Sequence, residues 1–125
     1  MTPEQIIKYA ILAEALDDVP ADLTGDQIDE LYEENEDACE DVKYEIREGR
    51  YETNLPCEHS RHYESQSVAA QAPNGLWVGW TYWYGGGKHG EPEAIDWIED
   101  AYLLDTQEEQ KMVTVRTFTK VEAAQ

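Results

Sequence analysis

The chain has 125 residues, of which 28 are Asp or Glu and only nine are Lys or Arg, so its formal net charge at pH 7 is -19. This charge excludes ordinary binding to nucleic acids and attraction to anionic lipids, because both need positive charge on the protein. Apolar residues make up 41% of the sequence, which is enough for a hydrophobic core, and the length is typical of a single domain over residues 1–125.

The acidic residues are concentrated in the first half of the chain. Residues 1–60 hold 18 acidic and four basic side chains, whereas residues 61–125 hold ten and five. Apolar residues recur at helical spacing in the first part, and strand-like runs follow later. We therefore expect an acidic helical half over residues 1–49 and an antiparallel β half over residues 61–120.

The first predicted helix begins next to the N-terminus. Thr2 and Gln5 have the spacing of a capping box, with Pro3 at the first helical position. Apolar residues at helical spacing continue to about Asp17, and Pro20 cannot extend the helix. The sequence therefore predicts a helix from about Pro3 to Asp17.

The second predicted helix is long. Thr24 and Gln27 form another capping box, and Gly49 lies where a helix C-cap is expected, so one helix should fill most of Thr24 to Glu48. At 100° per residue its apolar side chains form one narrow stripe. The stripe consists of Ile28, Leu31, Asn35, Cys39, Val42 and Ile46.

Acidic residues occupy the opposite side of this helix. They are Asp26, Asp29, Glu30, Glu33, Glu34, Glu36, Asp37, Glu40, Asp41, Glu45 and Glu48. A helix of this length is about 35 Å long, which places the carboxylates about 3 Å apart along its axis. A DNA strand carries a phosphate about every 3.4 Å. The pattern favours a phosphate-mimicking, partner-binding surface, with a solvated acidic face or adaptation to high salt as alternatives.

The β half contains two predicted pairs of strands. Residues 68–71 and 76–84 flank the sequence Pro-Asn-Gly, which is typical of a hairpin turn. Residues 101–104 and 112–119 form the other pair, and residues 92–98 are either a helical turn or an extended link. The predicted fold class is α+β: two N-terminal helices packed on a three- to four-stranded antiparallel sheet.

The aromatic residues of the second strand alternate between the two faces of the sheet. Leu76, Val78 and Trp80 supply one buried face, whereas Trp77 and Trp83 point the other way. Aromatic side chains are enriched at protein interfaces. Trp77 and Trp83 are therefore candidates for a partly exposed surface through which the protein forms a homodimer, with burial in the core as the alternative.

A cluster of Cys39, Cys57, His59 and His62 contains the residue types of a tetrahedral zinc site. The spacing argues against such a site, because there is no Cys-x-x-Cys motif and Cys39 lies on the apolar stripe. A buried thiol and loop histidines explain the same residues. We expect no metal.

The glycine-rich run from Gly85 to Gly90 differs from a phosphate-binding loop. In such a loop the lysine is followed by Ser or Thr, whereas here Lys88 is followed by His89. The run is typical of a flexible connection, although Trp83, Lys88 and His89 could form a contact loop. His89 could pair with a nearby glutamate, but no nucleophile, oxyanion site or cofactor motif accompanies it. We therefore expect neither an enzyme nor a cofactor.

The sequence also indicates where the protein is found. Residues 1–19 are interrupted by five charged side chains, so they resemble neither a signal peptide nor a membrane span. The two cysteines are more readily explained as reduced thiols than as a disulfide. We expect a cytoplasmic protein, in a bacterial host cell if it is encoded by a phage.

In size, acidity and layout, the chain resembles small phage or mobile-element inhibitors of host defence, including anti-CRISPR and anti-restriction DNA mimics. The resemblance implies an inhibitor that occupies the nucleic-acid-binding surface of a basic protein or complex. These inhibitors share no common fold, so no site residue follows from the resemblance. The alternative is a small-molecule or metal-binding domain, with or without enzymatic activity, built on the Gly85–Glu93 loop with His59 and His62.

Overall fold

Residues 1–86, 90–106 and 116–120 are described by a computed structural model, in which three helices precede an antiparallel sheet. The helices are α1 (Pro3–Ala15), α2 (Gly25–Glu34) and α3 (Glu36–Arg47). The strands are β1 (Tyr51–Glu52), β2 (Glu64–Gln71), β3 (Trp77–Tyr84) and β4 (Tyr102–Leu104). The predicted α+β class is confirmed. Within the described ranges, no helix combines the length and the apolar character needed to cross a membrane.

Both predicted capping boxes are present. The side-chain oxygen of Thr2 accepts a hydrogen bond of 3.2 Å from the backbone N–H of Gln5, whose Oε1 accepts one of 2.9 Å from the backbone of Thr2. Thr24 and Gln27 repeat the arrangement with the same two distances. These bonds satisfy N–H groups that have no partner within the helix, and they define where α1 and α2 begin.

The single helix expected from Thr24 to Glu48 is instead divided at Asn35. In a continuous helix, the backbone N–H of Asn35 would donate to the carbonyl oxygen of Leu31. The side-chain amide of Asn35 donates to that oxygen at 2.8 Å, and the backbone N–H bonds to Tyr32 at 3.1 Å. This competition leaves Asn35 with φ -125° and ψ 27°, and separates α2 from α3.

The sheet has the order β1-β2-β3-β4, and all neighbouring strands are antiparallel. The predicted hairpin joins β2 to β3, with Val68 opposite Trp80. Its turn is closed by hydrogen bonds of 2.9 Å from Ala72 to Leu76 and from Gly75 to Ala72. Gly75 has φ 88°, a conformation that favours glycine.

The remaining strand predictions have mixed outcomes. β4 lies within the predicted strand at residues 101–104, and Pro92–Ala94 forms a 3₁₀ helix, one of the two alternatives for that segment. β1 lies where the sequence indicated no strand. Residues 112–115 of the last predicted strand lie outside the described residues, and residues 116–119 are described without strand structure.

The helices pack on one face of the sheet. On that face Val68 and Val78 are buried together with Trp80, whose ring centroid lies 4.9 Å from that of Trp97. From α1, the core receives Ile6, Ile7, Tyr9, Ile11 and Leu12, all fully buried. Leu76 was expected in the buried face, but it precedes β3 in the turn and is 45% exposed.

Candidate partner-binding surface

The acidic residues predicted on the second helix lie on α2, α3 and the residue that follows them. Asp29 is half-buried, whereas all the others are exposed. The exposed residues, which we call the acidic surface, are Asp26, Glu30, Glu33, Glu34, Glu36, Asp37, Glu40, Asp41, Glu45 and Glu48.

Asp29 differs from the acidic surface because its carboxylate is engaged within the molecule. It accepts hydrogen bonds of 3.0 Å from Nε2 of Gln5 and 3.3 Å from Nζ of Lys8, and so joins α2 to α1. The bond from Gln5, followed by the bond and charge of Lys8, lowers the pKa of Asp29. In the structure Asp29 connects two helices, and its predicted contact with a partner stays a prediction.

The acidic surface forms no ion pair within the described part of the chain, although the pKa of Arg50 is raised by its hydrogen bond to Glu14 and, to a smaller extent, by the charges of Glu45 and Glu48. There, Lys8 forms ion pairs with Glu4 and Asp29, and Arg50 forms one with Glu14. None of these pairs includes a residue of the acidic surface. Like charges at helical i,i+3 and i,i+4 spacing repel one another, so this surface is slightly destabilising in isolation.

The opposite sides of α2 and α3 hold this surface on the core. Ile28 and Cys39 are fully buried, and Ile46 is 1% exposed, as the apolar stripe predicted. Burial raises the pKa of the Cys39 thiol. It also raises the pKa of Tyr32 to about 12, with a smaller contribution from negative groups on α3.

The break at Asn35 changes the shape that the acidic surface can present. α2 has 10 residues and α3 has 12, so the segments are about 15 and 18 Å long at 1.5 Å per residue. The charges therefore lie on two consecutive segments instead of one continuous helix of about 35 Å. On α3, five exposed carboxylates lie about 3.6 Å apart along the axis, slightly less dense than expected for the single helix.

The candidate zinc residues are not brought together. Cys39 is buried on α3, whereas Cys57 lies in the loop before β2, with its Sγ 3.4 Å from Oγ of Ser65 on β2. His59 and His62 are exposed. Among the described residues, no three His, Cys, Asp or Glu side chains form a group that could hold a metal ion.

The predicted contact loop is described only in part. Trp83 is half-buried near the end of β3, whereas Lys88 and His89 lie outside the described residues. Tyr63 accepts a hydrogen bond of 3.3 Å from the backbone N–H of Glu91, which links the far end of the loop to the segment before β2. The structure therefore defines where this loop begins and ends.

Arg47 is a residue whose role the sequence reasoning missed. It is 9% exposed, donates from Nη1 to the carbonyl oxygen of Trp83 at 2.7 Å, and lies over the ring of Tyr82 at 4.9 Å. Its Nε is buried without a hydrogen-bond partner. The available signal was a basic residue directly after the buried Ile46, in a helix whose other side is acidic.

Comparisons with known proteins do not assign the chain to a family. No protein family, curated protein or solved structure matches the chain. The chemistry of the acidic surface is therefore the main guide to function.

Proposed function

We propose that the protein is a non-enzymatic, acidic interaction protein that mimics nucleic-acid phosphate charge. Its acidic surface would block the basic DNA- or RNA-binding surface of a partner protein in the bacterial cytoplasm. A nucleic-acid-binding component of a bacterial defence complex is the partner that we expect. The protein itself would bind neither nucleic acid nor membrane, since it carries the charge of the ligand that it replaces.

One observation supports this proposal above the others. Every carboxylate of the acidic surface is exposed, and none forms an ion pair within the described residues. Ordinary surface helices interleave acidic and basic residues, which gives i,i+4 pairs that stabilise the helix. Here that stabilisation is absent, and the charge remains available to a partner.

The density of the charge fits a phosphate backbone. α3 carries Glu36, Asp37, Glu40, Asp41 and Glu45 within a length of about 18 Å. This is on the order of one carboxylate every 3.6 Å, close to the phosphate spacing of about 3.4 Å in a DNA strand, with Lys43 as a partly exposed cation on the same helix. A basic groove shaped for a nucleic acid would relieve the repulsion among these carboxylates and gain charge complementarity.

The test compares two variants that lose the same number of charges. The surface variant replaces Glu33, Glu34 and Glu40 by Gln, and Asp37 and Asp41 by Asn. The control variant replaces exposed acids elsewhere: Asp17 and Asp22 by Asn, and Glu64, Glu93 and Glu99 by Gln. A basic nucleic-acid-binding protein is first isolated with the unmodified chain from a bacterial lysate, at low salt.

Displacement of a labelled duplex from that partner is then measured by fluorescence anisotropy, at about 50 and 200 mM salt. We expect the unmodified chain and the control variant to displace the duplex, less strongly at high salt, and the surface variant to lose displacement. Full displacement by the surface variant, with its fold intact, would contradict the proposal and leave solubility as the role of the acidic surface.

A further inference from the structure

The face of the sheet opposite the helices carries two neighbouring grooves. The first has a volume of about 340 Å³ and is lined by Tyr51, Trp77 and Leu104 among others. The second has a volume of about 370 Å³ and is lined by Trp83 and Tyr102 among others. Leu55 lines both grooves, so they are adjacent, and we call the two together the outer groove.

The floor of the outer groove is closely packed. A Cβ atom at Gly79 would lie 2.7 Å from Cδ1 of Leu104 and 2.8 Å from Cε2 of Tyr102, so the absence of a side chain lets β4 residues cover β3. Tyr51 and Trp77 contact edge to face, with ring centroids 5.0 Å apart. The aromatic rings are therefore held in place before any partner binds.

The loop after β1 borders the outer groove and is also held in place. Oγ of Ser67 donates to the carbonyl oxygen of Pro56 at 3.2 Å, and Oγ of Ser65 donates to that of Glu58 at 2.6 Å. Both serines lie on β2, opposite Thr81 and Trp83 of β3. These bonds position the loop along one side of the groove.

The charged residues that line the outer groove are all acidic within the described part of the chain. Glu52 and Asp105 line the first part, and Glu58 and Asp100 line the second; all four are exposed, and Glu52 accepts a hydrogen bond from the side chain of Gln66. No Lys, Arg or His is among the described residues that line either part. Aromatic faces beside carboxylates suit a guanidinium group, which stacks on the ring and bonds to the acid.

We propose that the outer groove binds an extended, arginine-bearing segment of a protein partner. Trp77 and Trp83 are six residues apart on the same face of β3, a separation of about 20 Å at 3.3 Å per residue. An extended segment with two arginines six residues apart would place one guanidinium against each tryptophan. A second copy of this chain is a poor occupant, because its charge of -19 would repel the acidic border.

This proposal concerns the face opposite the helices and does not depend on the function proposed for the acidic surface. The probe is a fluorescent peptide of Gly, Ser and Thr with two arginines six residues apart. The control peptide carries citrulline at both positions, which keeps the shape and removes the charge. Binding is measured by anisotropy at about 150 mM salt.

Two variants locate the binding. Trp77→Ala removes a ring, whereas a triple variant with Glu58→Gln, Asp100→Asn and Asp105→Asn changes only exposed charges and should keep the fold. We expect the arginine peptide to bind at least tenfold more tightly than the citrulline peptide, and both variants to weaken it at least fivefold. The triple variant keeps the test decisive if Trp77→Ala fails to fold.

Three outcomes would overturn the proposal. One is equal binding of the two peptides. The second is loss of binding in the surface variant of the previous subsection but not in the triple variant, which would assign the peptide to the acidic surface. The third is a dimer in sedimentation that Trp77→Ala converts to a monomer, which would make a second copy the occupant of the groove.

Discussion

The indole Nε1 of Trp80 donates a hydrogen bond of 2.9 Å to the carbonyl oxygen of Arg47, and so connects the last turn of α3 to the middle of β3. Carbonyl groups in the last turn of a helix lack partners within the helix, and this bond satisfies one of them. Because Trp80 is fully buried, the bond is shielded from water. The end of the helix that carries much of the acidic surface is therefore attached to the core.

The Arg47 side chain makes the complementary connection, and its removal should be costly. We expect Arg47→Ala to lower the free energy of unfolding by about 2–4 kcal/mol, because the carbonyl of Trp83 loses its donor and a cavity opens beside Tyr82. Arg47→Met should lose less, since it refills the space and removes the unpartnered Nε. Urea denaturation followed by tryptophan fluorescence measures both, and losses below 0.5 kcal/mol for Arg47→Ala would refute the role.

Gly49 and Gly75 form a matched pair for a second prediction. Both have positive φ, 80° and 88°, but a Cβ at Gly49 would lie 2.3 Å from Cβ of Val68, whereas one at Gly75 would meet nothing within 4 Å. Gly75→Ala should therefore lower the free energy of unfolding by only about 1 kcal/mol, the cost of holding an alanine at positive φ. Gly49→Ala should lower the free energy of unfolding by about 2–4 kcal/mol, because Val68 on β2 must also shift. Equal melting temperatures for the two variants would contradict this assignment.

Tyr32 should make stability fall at alkaline pH. Its folded pKa of about 12 lies above the unfolded value near 10. The stabilisation is therefore complete below pH 10 and is lost as the pH rises towards 12. Tyr32→Phe has no ionisable ring, so its urea midpoint should fall less than that of the unmodified protein between pH 9.5 and 11.5. Parallel curves for the two proteins would show that Tyr32 ionises as freely when folded as when unfolded.

Asp29 predicts the opposite pH dependence. Gln5 and Lys8 lower its folded pKa below the unfolded value near 3.9, so its stabilisation is present above about pH 4. It is lost as the pH falls through the folded pKa. Asp29→Asn should therefore be less stable than the unmodified protein at pH 7. The difference should shrink in the most acidic buffer in which both proteins fold, and a difference independent of pH would contradict the prediction.

Local signals in the sequence were sufficient for the elements that depend on adjacent residues. Thr2 and Thr24 cap helices through residues three positions away, and Gly75 closes a turn between consecutive strands. Such contacts need no knowledge of the rest of the fold. The starts of α1 and α2, the hairpin and the face that each helix buries could therefore be predicted.

Other features depend on contacts that the spacing of apolar residues in the sequence does not reveal. Asn35 lies at a position of the apolar stripe, and the spacing of the stripe is the same whether or not the Asn35 amide bonds to the carbonyl oxygen of Leu31. The sequence pattern therefore could not show that the helix is divided there. Arg47 is buried because Trp83 and Tyr82 lie beside it, although they are 35 or more residues further along the chain. The exposure of the acidic residues followed from their position opposite the stripe, but the engagement of Asp29 required the position of α1.

The order of the strands bears on how the chain folds. Because β1, β2, β3 and β4 lie in the sheet in the order in which they occur in the chain, each pairs with its immediate predecessor. Such short-range pairing lowers the entropy lost on closing loops and favours rapid folding. α1, in contrast, contacts β2 and β3 and is made first. On the ribosome, its apolar side chains can first pack only against α2 and α3, and the part of α1 that faces the sheet stays exposed until the hairpin is made. In that interval the nascent chain is most prone to aggregate.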